Sequence, residues 1–116
     1  MHKRTAACSC GNLRAFCEDQ PGRISMCHCL ACQRRTGAPF GAQSRFQREQ
    51  VTFEGRSTAF TRRADSGNSV TFHFCPDCGS TVYWELSGYP GLIAVWESMR
   101  HPWTERIAEC AMGRSD

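Results

Sequence analysis

Nine cysteines in a chain of 116 residues constrain this sequence more than any other feature. Packing alone does not call for so many in a protein of this size, so they imply a disulfide framework or metal sites. The odd count excludes complete pairing within the chain. The start, Met1-His2-Lys3-Arg4-Thr5, is polar and runs straight on to Cys8, so no secretory leader is expected. No stretch approaches the roughly 20 apolar residues that span a bilayer. Reduced thiols in the cytoplasm, used as metal ligands, are therefore the expectation.

Sorted by spacing, the cysteines form three clusters: Cys8-Ser9-Cys10-Gly11, Cys27-His28-Cys29-Leu30-Ala31-Cys32 and Cys75-Pro76-Asp77-Cys78-Gly79. In an extended segment residues i and i+2 share a face, so a Cys-x-Cys pair can reach one ion together. In the last cluster proline presets a turn, and glycine tolerates positive φ just beyond the second sulfur. Tetrahedral zinc takes four protein ligands in a structural site, and three plus an exchangeable one in a catalytic site.

Seven clustered cysteines divide naturally as four and three. The middle cluster can serve one ion alone, and Cys8 and Cys10 then combine with Cys75 and Cys78 across the chain. Other partitions stand beside this one. Two middle cysteines can join Cys75 and Cys78 in a zinc ribbon, the thiols can pair as disulfides, or His28 can complete a purely structural second site. If its segment is extended, His28 points away from its cysteine neighbours and reads as a supporting or lining group. Cys17 lies on the apolar face of its segment and reads as a buried thiol. Cys110 has no cysteine near it in the chain.

The rest of the sequence is short alternating runs broken by glycine and proline. Leu13, Ala15 and Cys17 alternate with polar residues. Residues 40–46, 51–53 and 57–62 are further strand candidates, with turns at Glu54-Gly55-Arg56 and Asp65-Ser66-Gly67-Asn68. Val70, Phe72 and Phe74 alternate into Cys75, and 81–86 and 92–96 are rich in β-branched and aromatic residues. Only 30–35 suggests a short helix. The expectation is a mainly β fold of short antiparallel sheets with little helix. It forms one domain over 1–110, followed by a tail, 111–116, that frays. Trp84, Trp96 and Trp103 read as core, with His101-Pro102-Trp103 docking the C-terminal segment on the sheet.

Taken in order, Cys8-x-Cys10-Gly11, CHCLACQRRTGAPF at 27–40 and FCPDCGS at 74–80 resemble the glutathione-dependent formaldehyde-activating enzyme family, whose domain centromere protein V shares. The likeness runs over residues 7–103. It implies an Mss4-like β-rich zinc fold with two zinc ions per chain. Cys8, Cys10, Cys75 and Cys78 match the structural ligands, and Cys27, Cys29 and Cys32 match those of the catalytic zinc. The implied activity adds glutathione to formaldehyde and is classed, for the reverse direction, as a carbon–sulfur lyase. Family members usually carry a longer stretch between segments like Leu92-Ile93-Ala94-Val95 and Trp96-Glu97-Ser98-Met99-Arg100-His101-Pro102-Trp103, which are abutted here as though a loop were missing.

Three thiolates over-neutralise a zinc dication, which weakens it for water activation and suits it to a soft sulfur ligand. The expected partner is a small glutathione-like thiol. Arg34 and Arg35 are candidates for its carboxylates, and His28 for moving its proton. The alternative is a non-catalytic zinc-held binding module, for protein or nucleic acid, or a thiol or zinc sensor. The net charge of +3 is mild, and Arg45, Arg48, Arg56, Arg62 and Arg63 alternate like solvated strand edges, so nucleic acid is not the expected partner. No membrane association is expected, and the sequence does not speak to oligomeric state.

Overall fold

Short segments rich in β-branched and aromatic side chains cannot each bury much surface, so they must be stacked into sheets around shared side chains. The computed structural model of the chain describes residues 3–64 and 66–96, with the backbone alone for Trp96. It contains β1 (Lys3–Ala7), β2 (Arg14–Glu18), β3 (Arg23–Cys27), the helix α1 (Leu30–Thr36), β4 (Gly41–Gln47), β5 (Val51–Glu54), β6 (Thr58–Arg63), β7 (Ser69–Phe74), β8 (Thr81–Leu86) and β9 (Leu92–Trp96). They build a three-stranded sheet, β1-β2-β5, and a six-stranded sheet, β3-β4-β9-β8-β7-β6. Every pairing is antiparallel. The expected mainly β architecture with little helix is what the chain adopts.

The small sheet covers one face of the large one. Ala6, Ala15, Cys17 and Val51 meet Phe46, Val82, Tyr83, Ile93 and Val95 in a common core. Phe53 stacks on Tyr83 with ring centroids 4.1 Å apart, joining β5 to β8. Fully burying Phe46 or Ile93 contributes roughly 2–3 kcal/mol each. The opposite face of β7, β8 and β9 buries a second group, Val70, Phe72, Trp84 and Ala94. Strands covered on both faces explain the continuous apolar runs in β8 and β9. Trp84 is core, as expected, whereas the side chain of Trp96, and Trp103 altogether, lie outside the described residues.

Two strands lack a legible pattern. In β1 only Ala6 faces the core, and β3 is an edge strand whose Ile24 and Met26 are more than half exposed. Gly55 turns the chain from β5 toward β6 with φ +99°, and a Cβ there would stand 2.0 Å from the Asn12 carbonyl oxygen. The Ser66–Asn68 part of the expected turn joins β6 to β7, closed by hydrogen bonds from Ala64 N to Asn68 O and from Gly67 N to Ala64 O. No helix among the described residues is long and apolar enough to cross a membrane. Cys110, the His101-Pro102-Trp103 segment and the tail lie outside the described residues.

Candidate metal centres

The turn after β1 carries Cys8 and Cys10, and the turn between β7 and β8 carries Cys75 and Cys78. The extended geometry expected for Cys8-Ser9-Cys10 is not what the chain adopts. Gly11 N donates to Cys8 O, and Gly11 has φ +84°, so the two sulfurs converge around a tight turn instead. That turn is needed because Cys8 N must also pair with Leu13 O to start the β1–β2 hairpin. Across the fold, Gly79 N donates to Cys75 O and Gly79 has φ +81°, the arrangement expected from the Cys-Pro-Asp-Cys-Gly run.

The four sulfurs all lie within 4.8 Å of one another. Cys10 Sγ is 3.6 Å from both Cys8 Sγ and Cys75 Sγ. A tetrahedral zinc with Zn–S bonds of ~2.3 Å has sulfurs about 3.8 Å apart, so these spacings fit the ion, and they are far beyond a disulfide bond. Backbone amides support the sulfurs: Leu13 N donates to Cys8 Sγ at 3.2 Å and Asp77 N to Cys75 Sγ at 3.4 Å. A hydroxyl pair, Ser9 Oγ to Ser80 Oγ at 2.8 Å, ties the two turns together beside the thiols. The serines escaped the sequence reading. Their signal was only their adjacency to cysteines in two clusters distant along the chain.

Crowding splits the ionisation of these thiols. The Ser80 backbone amide, helped by the Cys10 backbone and the Ser80 hydroxyl, pulls Cys78 down to about 5. The Asn12 amide works the same way on Cys10, but the sulfurs of Cys8, Cys75 and Cys78, with some local desolvation, outweigh it and push Cys10 up to about 12. Several thiolates cannot share so small a space without a cation, and metal binding releases their protons.

The second cluster is local. Cys27 ends β3, Cys29 caps α1 with extended φ −67° and ψ 159°, and Cys32 is buried in the helix. Their three sulfurs also lie within 4.8 Å of one another, and no other His, Cys, Asp or Glu among the described residues joins them. Cys32 N donates to Cys29 Sγ at 3.4 Å. That amide, with the Cys27 thiol, lowers the Cys29 pKa, whereas burial and the two neighbouring sulfurs push Cys32 up to about 11. Gln33 N reaches Cys29 O, and Gln33 Nε2 reaches His28 O at 2.9 Å, fixing the loop over the helix start. The far end is closed by Thr36 Oγ1 on Cys32 O and by Gly37 N on Gln33 O.

The ribbon partition does not occur: no middle cysteine joins Cys75 and Cys78. The described cysteines are free thiols. His28 is exposed, its ring 5.7 Å from that of Phe40 and outside the donor set. Cys17 is fully buried, and burial drives its thiol to about 11 despite Arg4 nearby. Arg34 is exposed, while Arg35 lays its guanidinium over Trp84 at 4.6 Å and Phe72 at 5.1 Å. The other arginines are not uniformly solvated edges. Arg48 pairs with Glu85 and Arg56 with Asp77, and Arg45 and Arg62 lie over the rings of Tyr89 and Phe72.

An all-thiol donor set suits zinc and not the hard cations, so both clusters can hold such an ion. A family model described as "Glutathione-dependent formaldehyde-activating enzyme" matches residues 3–108. Among solved structures, the crystal structure of a Rhodobacter sphaeroides protein is similar, with a TM-score of 0.62 and 19% identity over 87% of this chain and 94% of that chain. At that identity the likeness speaks for the fold alone. None of the curated proteins matches.

Proposed function

This chain belongs to the glutathione-dependent formaldehyde-activating enzyme family, and from that premise we propose that it joins a small glutathione-like thiol to a small aldehyde such as formaldehyde, using two zinc ions. Cys8, Cys10, Cys75 and Cys78 hold one ion as a clamp on the fold. Cys27, Cys29 and Cys32 hold the other. One observation carries the reading: an all-sulfur donor set that stops at three stands beside a second set that reaches four. Three is the protein-ligand number of a catalytic zinc. An ion bound there supplies a soft Lewis acid that favours the thiolate form of an incoming thiol.

The chain's own residues supply position and proton handling. The Cys29 cap and the Gln33 hydrogen bonds fix the three sulfurs at the start of α1. Arg34 and Arg35, on the same helix, receive the carboxylates of the thiol substrate through paired donors. Anchoring the non-reacting end this way turns a bimolecular encounter into a positioned one. The sulfur attacks the aldehyde carbon, a carbon–sulfur bond forms, and the carbonyl electron pair moves to oxygen, which takes up a proton. His28, beside two of the thiols in the chain, takes the proton that the substrate thiol gives up. The reverse step is a carbon–sulfur lyase reaction. Seven reduced thiols require a reducing compartment, and we assign the protein to the cytoplasm.

Exchange NMR on glutathione and formaldehyde tests this directly. The native protein with two zinc ions per chain should speed formation of the hydroxymethyl thioether above the uncatalysed rate. Cys29→Ser should stay folded, lose one zinc and show only the background rate. A folded Cys29→Ser that still accelerates the exchange, or a zinc-replete native protein that does not, refutes the reading.

A further inference from the structure

The face of the large sheet turned away from the small one carries a row of rings. Strand register sets Phe60 beside Phe72 and Phe72 beside Trp84, with Phe74 two residues on. Helix α1 lies along this row, and between them runs a groove of about 550 Å³ lined by Phe60, Phe72, Phe74, Arg34, Arg35 and Arg62. That volume is in the range of small-molecule sites. Phe60 is 58% exposed on an edge strand, so much of its ring is open to a ligand in the groove.

The charge is as one-sided as the floor is apolar. The ion pairs among the described residues are Arg48–Glu85, Arg56–Asp77 and His73–Glu85, so none of the three groove arginines meets a carboxylate. Arg35 rests on Trp84 and Phe72, and Arg62 on Phe72 at 5.5 Å. Stacking uses the faces of these guanidinium groups and leaves their edge donors free for a planar, bidentate acceptor. Glutathione, with its polar peptide backbone, matches the cations but not the rings.

We infer that this groove binds an apolar carboxylate: a small molecule whose hydrocarbon or aromatic body lies on Phe60 and Phe74, at the rim of the buried Phe72, and whose carboxylate is received by Arg34, Arg35 and Arg62. Ala31, next to Cys32 in the chain, is part of the wall, and so is Gly79, next to Cys78, so the groove adjoins both cysteine turns. The inference deepens the proposed function, on which it rests only for its link to thiol chemistry. If thiol chemistry runs at the adjoining cluster, an acid-bearing thiol with an apolar body fits this groove better than glutathione itself.

Isothermal titration of the zinc-replete protein with 3-phenylpropionate, its neutral amide 3-phenylpropanamide, and acetate tests it. The acid should bind at least tenfold more tightly than either control, since it alone offers both body and charge. Arg62→Gln and Phe60→Ser lie on the exposed strand β6, which carries no cysteine. Each should weaken the acid by about tenfold or more with zinc content and melting temperature unchanged. Cys29→Ser should bind the acid as the native protein does. Native thiol–aldehyde activity that is absent while acid binding persists sinks only the earlier reading and leaves the groove standing. Equal binding of acid and amide, equal binding of acid and acetate, unchanged affinity in both β6 variants, loss of binding in Cys29→Ser, or tighter binding of a decameric oligothymidylate each overturns the inference.

Discussion

Serine at position 75 removes a sulfur that ties the two halves of the fold. Cys75 is fully buried, and its Sγ is 3.6 Å from that of Cys10, 65 residues away. If metal makes that contact a cross-link, the closed loop restricts the unfolded chain by about 4 kcal/mol in the loop-entropy relation. The loop between Cys27 and Cys32 is so short that the same relation gives about 2 kcal/mol. A domain of this size has ~5–15 kcal/mol in total, so the first loss is a large fraction of its stability. At ~4 °C per kcal/mol, Cys75→Ser should melt roughly 15 °C or more below native, and Cys29→Ser about half as far. Circular dichroism melts, with zinc counted in each sample, measure both. Chelator added to the native protein should bring its melting temperature down to that of Cys75→Ser or below. A Cys75→Ser protein melting within about 3 °C of native, or above Cys29→Ser, refutes the assignment of the four-thiol set as the clamp.

Other consequences follow from single residues. Burial alone would raise the Glu85 carboxyl, but hydrogen bonds from Arg48 and His73 outweigh it and hold the group below its usual 4.5. Stability from a lowered acid is present above its unfolded pKa and lost as pH falls through the folded one, so the gap between native and Glu85→Gln melting temperatures should be small but positive at pH 7 and shrink steadily below pH 4.5. A gap that widens in acid contradicts the network. The Cys17 thiol, buried and pushed up to about 11, should resist dithionitrobenzoate at pH 8 until denaturant is added; fast labelling of native protein at this position would show the core is not closed there. Gly55→Ala should cost roughly 2–4 kcal/mol in urea unfolding, because positive φ and the Asn12 carbonyl both oppose a Cβ. Gly67→Ala, with φ +94° but no atom within 4 Å, should cost about 1 kcal/mol, and equal losses would refute the close approach.

Most of the strands that the sequence reveals have a buried face, although β6, read at 57–62, has none. Ala15 and Cys17 in β2, and Val70 and Phe72 in β7, alternate with exposed or half-exposed neighbours. Strand β1 stays hidden because alanine carries its only inward position, and β3 because an edge strand can expose Ile24 and Met26. Cysteine spacing points to which sulfurs meet, although Cys8 and Cys10 converge through a turn that needs Gly11 rather than along a strand. The groove is invisible for a different reason. Its floor depends on Phe60 standing beside Phe72, a register fixed by pairing between strands, and no local pattern in either strand announces it.

Helix α1 joins these features, and its length says why. Seven residues cannot hold a helix in water alone, since nucleation costs more than so few hydrogen bonds return. Its supports are the Cys29 cap at one end, Thr36 and Gly37 at the other, and Arg35 lying on Trp84 and Phe72 along its side. The cap is also a thiol of the three-sulfur cluster, and the stacked arginine is also a wall of the groove. One short helix therefore carries parts of both sites. A thiol substrate bearing an acid would meet one short element with three thiols able to hold a soft metal at its start and cationic donors a turn later.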